Sequence, residues 1–241
     1  MPTLPDRFNE ISIQMAAASA RSGRSPNDVQ LVAVSKTHPP EAVREAMAAG
    51  LSIFGENRVQ EAKAKIPLVG GKAHWHFIGH LQKNKIRQAL PLFDLFHGID
   101  SLEIARDINR IAGELGLSPK ILLEVNVAGE STKFGFRPSQ LLEQVEDLLK
   151  LDRLHIDGLM AIPPPAPTPE HSRRYFVALR ELKTRMQTEA NLPLTHLSMG
   201  MSDDFTVAIE EGATLIRIGT ALFGSRSGKT WRPSTGDVLD D

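Results

Sequence analysis

The sequence contains no cysteine, so disulfide bonds, thiolate metal sites, iron–sulfur clusters and a cysteine nucleophile are all excluded. Aromatic residues are only 5% of the 241 residues, which argues against the stacking surfaces that bind single-stranded nucleic acids. The formal net charge is -1, so there is no electrostatic reason to expect nucleic acid or an anionic membrane as a partner. No apolar run approaches the roughly 20 residues that a membrane-spanning helix needs.

We also expect no secretory signal. The fairly apolar stretch over 11–20 ends in Ala-Ser-Ala, which resembles a signal-peptidase site. Asp6, Arg7 and Glu10 precede it, however, so the positively charged start of a signal peptide is missing. We therefore expect an N-terminal amphipathic helix in a cytoplasmic protein.

The chain does contain eight short apolar runs, each followed by a longer stretch with helical spacing. The first run is apolar on both faces, as a buried parallel strand requires. The predicted strands are 30–36, 52–55, 74–79, 95–99, 120–127, 155–162, 196–200 and 215–219. The predicted helices between and after them are 40–49, 58–65, 81–89, 100–115, 141–149, 170–189 and 203–210, with Asp100 as the cap of the fourth.

Strands that alternate with helices predict an α/β fold with a parallel sheet. Eight such units in about 195 residues favour a single (β/α)8 TIM barrel, with an extra N-terminal helix, over residues 1–226. Residues 227–241 are polar and predict a C-terminal tail. An open sheet and one misassigned strand remain as alternatives, but no G-x-G-x-x-G motif follows the first strand to support a dinucleotide-binding fold.

Lys36 is the first candidate for a chemical role, because functional residues of such barrels lie at the C-terminal ends of strands. One interpretation is that its stem packs while its ammonium reaches solvent. The other is a desolvated amine that forms a Schiff base with a carbonyl compound.

The ends of the seventh and eighth strands predict a phosphate site. Phosphate often binds there in TIM barrels, and Gly219 lets the backbone approach an anion while the hydroxyls of Ser198 and Thr220 donate. Ser202 has a simpler interpretation as the cap of the next helix. Both interpretations are compatible.

Arg217 lies two residues before the end of the predicted eighth strand. A buried arginine stays protonated and needs a partner. That partner is either a carboxylate in the barrel mouth or a ligand heteroatom; a pyridine nitrogen opposite Arg217 would be held unprotonated.

Other polar residues are weaker candidates. His74 and His76 lie two apart on one strand, but at the strand's beginning and with no matching carboxylate cluster, so we expect no metal. His80 is at the correct end of its strand to contact a ligand. The stretch 163–169 is proline-rich, and we interpret it as a stiff loop after the sixth strand.

Taken together, seven motifs resemble the pyridoxal phosphate homeostasis protein family. They occur in order between about residues 8 and 226 and are LVAVSK at 31–36, FGEN at 54–57, HFIGHLQ at 76–82, KFGF at 133–136, GLMAI at 158–162, LSMGMS at 197–202 and RIGTALFG at 217–224. That family resembles the N-terminal barrel of bacterial alanine racemase. The resemblance implies that Lys36 carries pyridoxal 5′-phosphate (PLP) as a Schiff base.

The resemblance also implies roles for other residues. Ser198, Met199, Gly219 and Thr220 would hold the phosphate, and Arg217 would face the pyridine nitrogen. Around the ring, the pocket would be lined by Asn57, Ile78 and Met160. Lys133 would be a residue of the pocket mouth.

A PLP carrier is favoured over an enzyme. A two-base racemase takes a tyrosine from a second domain, whereas the one tyrosine here, Tyr175, lies in a predicted helix. An arginine facing the ring nitrogen also weakens PLP as an electron sink. We therefore expect a monomer that holds PLP without catalytic residues, with PLP-requiring apo-enzymes as possible recipients. A single-base amino-acid racemase and a Schiff-base aldolase without PLP are the alternatives.

Overall fold

The structure, a computed structural model, describes residues 2–130, 133–224 and 231. Eight parallel strands pair in chain order and close into a barrel, which confirms the predicted TIM-barrel fold. The strands are β1 Gln30–Val34, β2 Ile53–Glu56, β3 His74–Phe77, β4 Leu95–Ile99, β5 Lys120–Glu124, β6 His155–Met160, β7 His196–Ser198 and β8 Leu215–Ile218.

The described helices surround this barrel. They are α1 Leu4–Arg21, α2 Pro40–Ala48, α3 Val59–Val69, α4 Ile86–Ala89, α5 Leu102–Leu115, α6 Pro138–Glu143, α7 Val145–Leu149, α8 Arg173–Glu189, α9 Phe205–Glu210 and α10 Thr220–Phe223. None of these helices is long and apolar enough to cross a membrane.

Alternation along the strands divides the apolar side chains between two cores. On β1, Leu31 and Ala33 face the helices, whereas Val32 faces the barrel interior. The interior cluster consists of Val32, Leu95, Leu122, Met160 and Leu215. The larger core fills the layer between strands and helices. Side chains therefore fill the inside of the barrel, and space for a ligand lies at the ends of the strands, as in TIM barrels generally.

The N-terminal helix α1 is tied to the last elements of the barrel. Thr3 caps it with a reciprocal bond to Asp6, and α1 packs on α9 and α10. The Arg7 side chain donates to the carbonyl of Leu222 over 2.5 Å, and Arg21 pairs with Glu210. Helix α1 therefore packs outside the barrel, against its last two described helices.

Several predicted boundaries were wrong, mostly because apolar runs continue beyond the strands. Lys36 lies two residues after β1, and β5 ends at Glu124 rather than at 127. Helix α5 is capped by Ser101, whose hydroxyl accepts from the amide of Ile104, and not by Asp100. Three other predicted helices differ in the structure. The stretch 81–89 is α-helical only over 86–89, 141–149 is divided into α6 and α7, and the α-helix predicted over 170–189 begins at Arg173.

The predicted boundary between barrel and tail falls at residues 226 and 227, which lie outside the described residues. Of the predicted tail, the structure describes Trp231. Its backbone amide donates to the carbonyl of Thr37 over 2.9 Å.

Candidate functional site

A cavity of about 260 Å³ opens at the C-terminal ends of the strands. Its lining includes Lys36, Ile78, Ser202, Arg217, Gly219 and Thr220. A larger cavity of about 380 Å³ lies at the opposite end, beside α1, but its lining contains no ionisable side chain. The chemistry of the first cavity, with an amine, a guanidinium and hydroxyls together, makes it the candidate functional site.

Lys36 occupies a tight turn between β1 and α2. The amide of His38 donates to the carbonyl of Ser35 over 3.0 Å, so Lys36 and Thr37 are the two central residues of the turn. Thr37 has a φ of 69°, in the left-handed region that glycine usually occupies at this position. A β-branched residue in that region is strained, so the surroundings must hold the turn.

A buried group of polar side chains packs beneath this turn; we call Ser35, Glu56, Glu61 and Lys65 the Lys65 cluster. Lys65 is fully buried on α3, and its Nζ donates to Glu56 and Glu61, over 2.7 Å each, and to the carbonyl of Ser35 over 3.0 Å. Glu61 also accepts the amide of Thr37 over 2.6 Å. The cluster therefore contacts the chain on both sides of Lys36.

Glu56 has an unusual protonation behaviour in this cluster. Burial raises its pKa to about 7, and the positive charge of Lys65 only partly offsets this. Its Oε1 accepts from Ser35 and Lys65, while its buried Oε2 has no hydrogen-bond partner among the described residues. At neutral pH Glu56 is therefore only partly ionised.

Arg217 forms the floor of the cavity and is fixed by two hydrogen bonds. Its guanidinium donates to the hydroxyl of Ser198 over 2.5 Å and to the carbonyl of Ala161 over 3.0 Å. Burial lowers its pKa to about 10, against the opposing effect of Glu124 and Asp204. Arg217 therefore remains a cation at neutral pH, with a fixed orientation.

Beneath Arg217, two histidines continue the polar interior of the barrel. Nδ1 of His97 lies 2.8 Å from the hydroxyl of Ser198, and its Nε2 lies 3.0 Å from Nδ1 of His76. Burial lowers the pKa of His76 to about 4 and lowers that of His97 well below its usual value. Both rings are therefore neutral at neutral pH.

The opposite wall is formed by the loops after β7 and β8. Gly200 has a φ of +90°, and a Cβ there would lie 2.5 Å from that of Ala208, so only glycine fits. The hydroxyl of Ser202 accepts the amide of Ala221 over 3.3 Å, which joins the two loops. The hydroxyls of Ser202 and Thr220 and the backbone at Gly219 thus meet on one side of the cavity.

A second set of ionisable groups lies outside the cavity lining, at the C-terminal ends of β3, β4 and β5. His80 lies 2.7 Å from Asp100, and the exposed ring of Phe134 stacks on it at a centroid distance of 4.1 Å. Burial raises the pKa of Glu124 to about 7, and Asp100 adds to this effect. Lys133, predicted at the mouth, pairs with Glu130 over 2.9 Å.

The structure brings five of the nine predicted binding residues into the cavity lining: Lys36, Ile78, Arg217, Gly219 and Thr220. The other four lie outside that lining. Ser198 and Met199 are buried, Met160 packs in the interior cluster, and the backbone of Asn57 packs closely against Gly79.

Sequence reasoning missed Ser202 as a lining residue and missed the Lys65 cluster. Ser202 was interpreted as a helix cap only. For Lys65 a pattern was present, because Ala62, Lys65 and Val69 share the buried face of α3, where a lysine is unusual.

The two histidines considered for metal binding lie at the N-terminal end of β3. His74 is exposed and lies 3.5 Å from Asp94, whereas His76 faces the interior. Within residues 2–130, 133–224 and 231, no group of three or more histidine or acidic side chains is placed to hold a metal ion.

Comparison with known proteins places this geometry in a family. The family model described as alanine racemase, N-terminal domain, matches residues 12–227. A pyridoxal phosphate homeostasis protein from Aquifex aeolicus is 45% identical, over 92% of this chain and 97% of its own length. One from Pseudomonas aeruginosa is 44% identical, over 94% and 97%.

A solved structure of PipY from Synechococcus elongatus, which has PLP bound, is also similar. It superimposes with a TM-score of 0.80 at 43% identity, over 92% of this chain and 100% of that one. The fold and the matched length define a barrel of the alanine racemase N-terminal class. Within that class, the chain belongs to the family of pyridoxal phosphate homeostasis proteins.

Proposed function

We propose that this chain binds PLP covalently on Lys36 and serves intracellular PLP homeostasis as a carrier of the cofactor. The observation that carries the proposal is the meeting of Lys36, Arg217 and the Gly219–Thr220 corner in one cavity. The names of the relatives from Aquifex aeolicus and Pseudomonas aeruginosa, and the PLP in PipY, support it.

The donor set fits an aromatic aldehyde that bears a phosphate. Lys36 supplies an amine for the aldehyde, and the apolar side chain of Ile78 lines the space for a ring. On the other side, the hydroxyls of Ser202 and Thr220 and the backbone at Gly219 suit a phosphate. Ser198, another predicted phosphate ligand, is buried and accepts from Arg217, so it would orient the guanidinium rather than contact the phosphate.

Arg217 would govern the electronic state of the cofactor. PLP supplies an electron sink for amino-acid chemistry, and it does so best when its ring nitrogen is protonated. A guanidinium that stays charged and is fixed by Ser198 and Ala161 can only donate to that nitrogen. Arg217 thus favours holding the cofactor over carbanion chemistry.

The position of the one tyrosine favours the carrier over a two-base racemase. Tyr175 lies on α8, where its hydroxyl accepts from the side chain of Arg174. It is not among the described residues that line the cavity. We propose further that the chain acts in the cytoplasm as a monomer and that PLP-requiring apo-enzymes receive its cofactor.

The visible absorption spectrum tests covalent binding. Wild-type protein with added PLP is expected to show a Schiff-base band, and borohydride is expected to fix the label on the peptide that contains Lys36. Lys36→Ala should lack the band, while Lys63→Ala, which removes an exposed lysine on α3, should retain it. A wild-type protein without the band would overturn the proposal and favour a Schiff-base aldolase.

Amino-acid turnover tests the non-catalytic role. We expect the PLP-loaded protein to racemise L-alanine no faster than free PLP at the same concentration. Turnover that depends on Lys36 would instead support the alternative function, a racemase with a single protein base.

A further inference from the structure

The turn that contains Lys36 is held by atoms that come from two other segments of the chain. The carbonyl of Ser35, before Lys36, accepts from Nζ of Lys65 over 3.0 Å. The amide of Thr37, after Lys36, donates to Glu61, which is itself paired with Lys65. The carbonyl of Thr37 accepts the backbone amide of Trp231 over 2.9 Å. The backbone on both sides of Lys36 is thus fixed by groups from α3 and from Trp231.

This turn needs such support because of its conformation. Thr37, with its φ of 69°, occupies a region that β-branched residues rarely adopt. Strained turns persist where the surroundings hold them, and they are concentrated at functional sites. In this chain the Lys65 cluster packs against the strained turn and holds it.

Stability alone does not account for the burial of Lys65. A fully buried ammonium is costly to desolvate, and a hydrophobic residue of similar size is often as good for stability. Its partners are Ser35, Glu56 and Glu61, of which Ser35 is adjacent to Lys36. The indole ring of Trp231 covers it at 5.3 Å, within the range of a cation–π contact.

We propose that Lys65 is a positioning residue for Lys36, and that Trp231 covers it. By fixing the Ser35 carbonyl directly and the Thr37 amide through Glu61, Lys65 holds the Lys36 turn in the conformation that directs the amine into the cavity. This inference rests on the proposed function, because the reason to position Lys36 is its covalent bond to PLP.

The first arm of the test uses cofactor-free protein. Exchange of the Thr37 amide hydrogen is measured by NMR in wild type, Lys65→Met and Lys63→Met. Lys65→Met is expected to accelerate the exchange by about tenfold or more, because Glu61 loses the ammonium that orients it. Lys63→Met removes the same charge from the exposed side of α3 and should match wild type.

The second arm uses PLP-loaded protein and hydroxylamine as a competing nucleophile. We expect hydroxylamine to remove the cofactor from Lys65→Met about tenfold faster than from wild type or Lys63→Met, as measured by loss of the visible band. If Lys65→Met changes neither rate, or changes exchange but not cofactor removal, the positioning role is wrong. If wild type never forms the band, the proposed function fails, whereas the exchange arm still decides whether Lys65 holds the turn.

Two variants of Trp231 keep the test decisive if Lys65→Met does not fold. Trp231→Ala removes the ring over Lys65 and leaves the buried cluster unchanged, and it should accelerate both rates about threefold. Trp231→Phe retains an aromatic face for the ammonium and should behave as wild type. If the two Trp231 variants show equal rates, the covering role of Trp231 is wrong. If Lys65→Met is also unfolded, that result overturns the whole proposal.

Discussion

The Nε2 atom of His97 lies 3.0 Å from Nδ1 of His76 inside the barrel. Because Arg217 can only donate, the hydroxyl of Ser198 accepts a hydrogen bond from its guanidinium. The hydroxyl hydrogen of Ser198 is then available to donate to Nδ1 of His97. In that arrangement Nε2 of His97 donates to His76. A line of hydrogen bonds then runs from the floor of the candidate site to the N-terminal end of the strands.

The neutrality of this histidine pair predicts a loss of stability in acid. The pKa of His76 is lowered by burial and by His196 and His74, against the opposing effect of Asp94. The unfolded chain therefore takes up a proton near pH 6.5 that the folded chain takes up only near pH 4. His76 should cost up to about 3 kcal/mol of unfolding free energy as the pH falls through this range.

Urea unfolding of wild type and His76→Asn from pH 8 to pH 4 measures this contribution. The difference at pH 8 gives the packing cost of the substitution, and His76→Asn should lose less stability than wild type on acidification. A constant difference between the two proteins across the range would contradict the buried neutral state of His76.

Glu124 predicts a pH dependence of the opposite sign. Its pKa is raised from 4.5 to about 7, so the folded chain keeps a proton that the unfolded chain has released. Its contribution to stability is therefore lost as the pH rises from 4.5 to 7, by up to about 3 kcal/mol. Relative to wild type, Glu124→Gln should become more stable over that interval.

Because Glu124 and His76 act in opposite directions over overlapping pH ranges, the wild-type profile alone does not separate them. Unfolding free energies of Glu124→Gln, His76→Asn and the double variant, measured at pH 4.5 and pH 8, do separate them. A Glu124→Gln profile parallel to that of wild type would show that Glu124 titrates normally.

The strained turn makes a further prediction. Asparagine tolerates the left-handed region better than threonine does, so Thr37→Asn should raise the unfolding free energy by about 0.5–1 kcal/mol. Thr37→Val has the shape of threonine and the same β-branching, and should gain nothing. Thermal unfolding of both variants checks this, and an equal gain in the two would show that φ is not the cause.

Two glycines should respond to alanine in opposite ways. A Cβ on Gly158 of β6 would lie 2.1 Å from the carbonyl oxygen of His196 on β7, and backbone cannot move aside cheaply. Gly158→Ala should therefore destabilise the barrel by more than about 2 kcal/mol. Gly113 lies on the exposed face of α5 with nothing within 4 Å, and Gly113→Ala should stabilise by about 0.5–1 kcal/mol. Denaturant unfolding of both variants tests the pair.

Much of the architecture could be predicted because it depends on local pattern. Apolar runs such as that of β1 and the helical spacing of α5 are properties of consecutive residues, and eight repeats of them predict a barrel. The ends of strands were predicted less well. The apolar character of 125–127 continues past β5, while pairing with β6 stops at Glu124.

Only part of the candidate site could be predicted, again because local sequence pattern does not determine contacts between distant elements. Lys36 and Arg217 follow from their positions at strand ends, which any TIM barrel shares. The contact of Ser198 with His97 joins β7 to β4 across the interior, and the bonds of Lys65 join α3 to the turn after β1. Such contacts depend on how distant elements face each other, and no local pattern encodes that.

The position of α1 bears on how the chain folds as it is made. Its partners α9 and α10 are the last described helices, and β1 pairs with β8. During synthesis the N-terminal helix is complete long before the elements it packs against have left the ribosome. The side of α1 that is buried in the folded protein, which includes Ile11 and Ala18, is therefore exposed to solvent for most of translation. Closure of the barrel is therefore a late event of high contact order, and the nascent chain is exposed to aggregation until α9 and α10 have emerged.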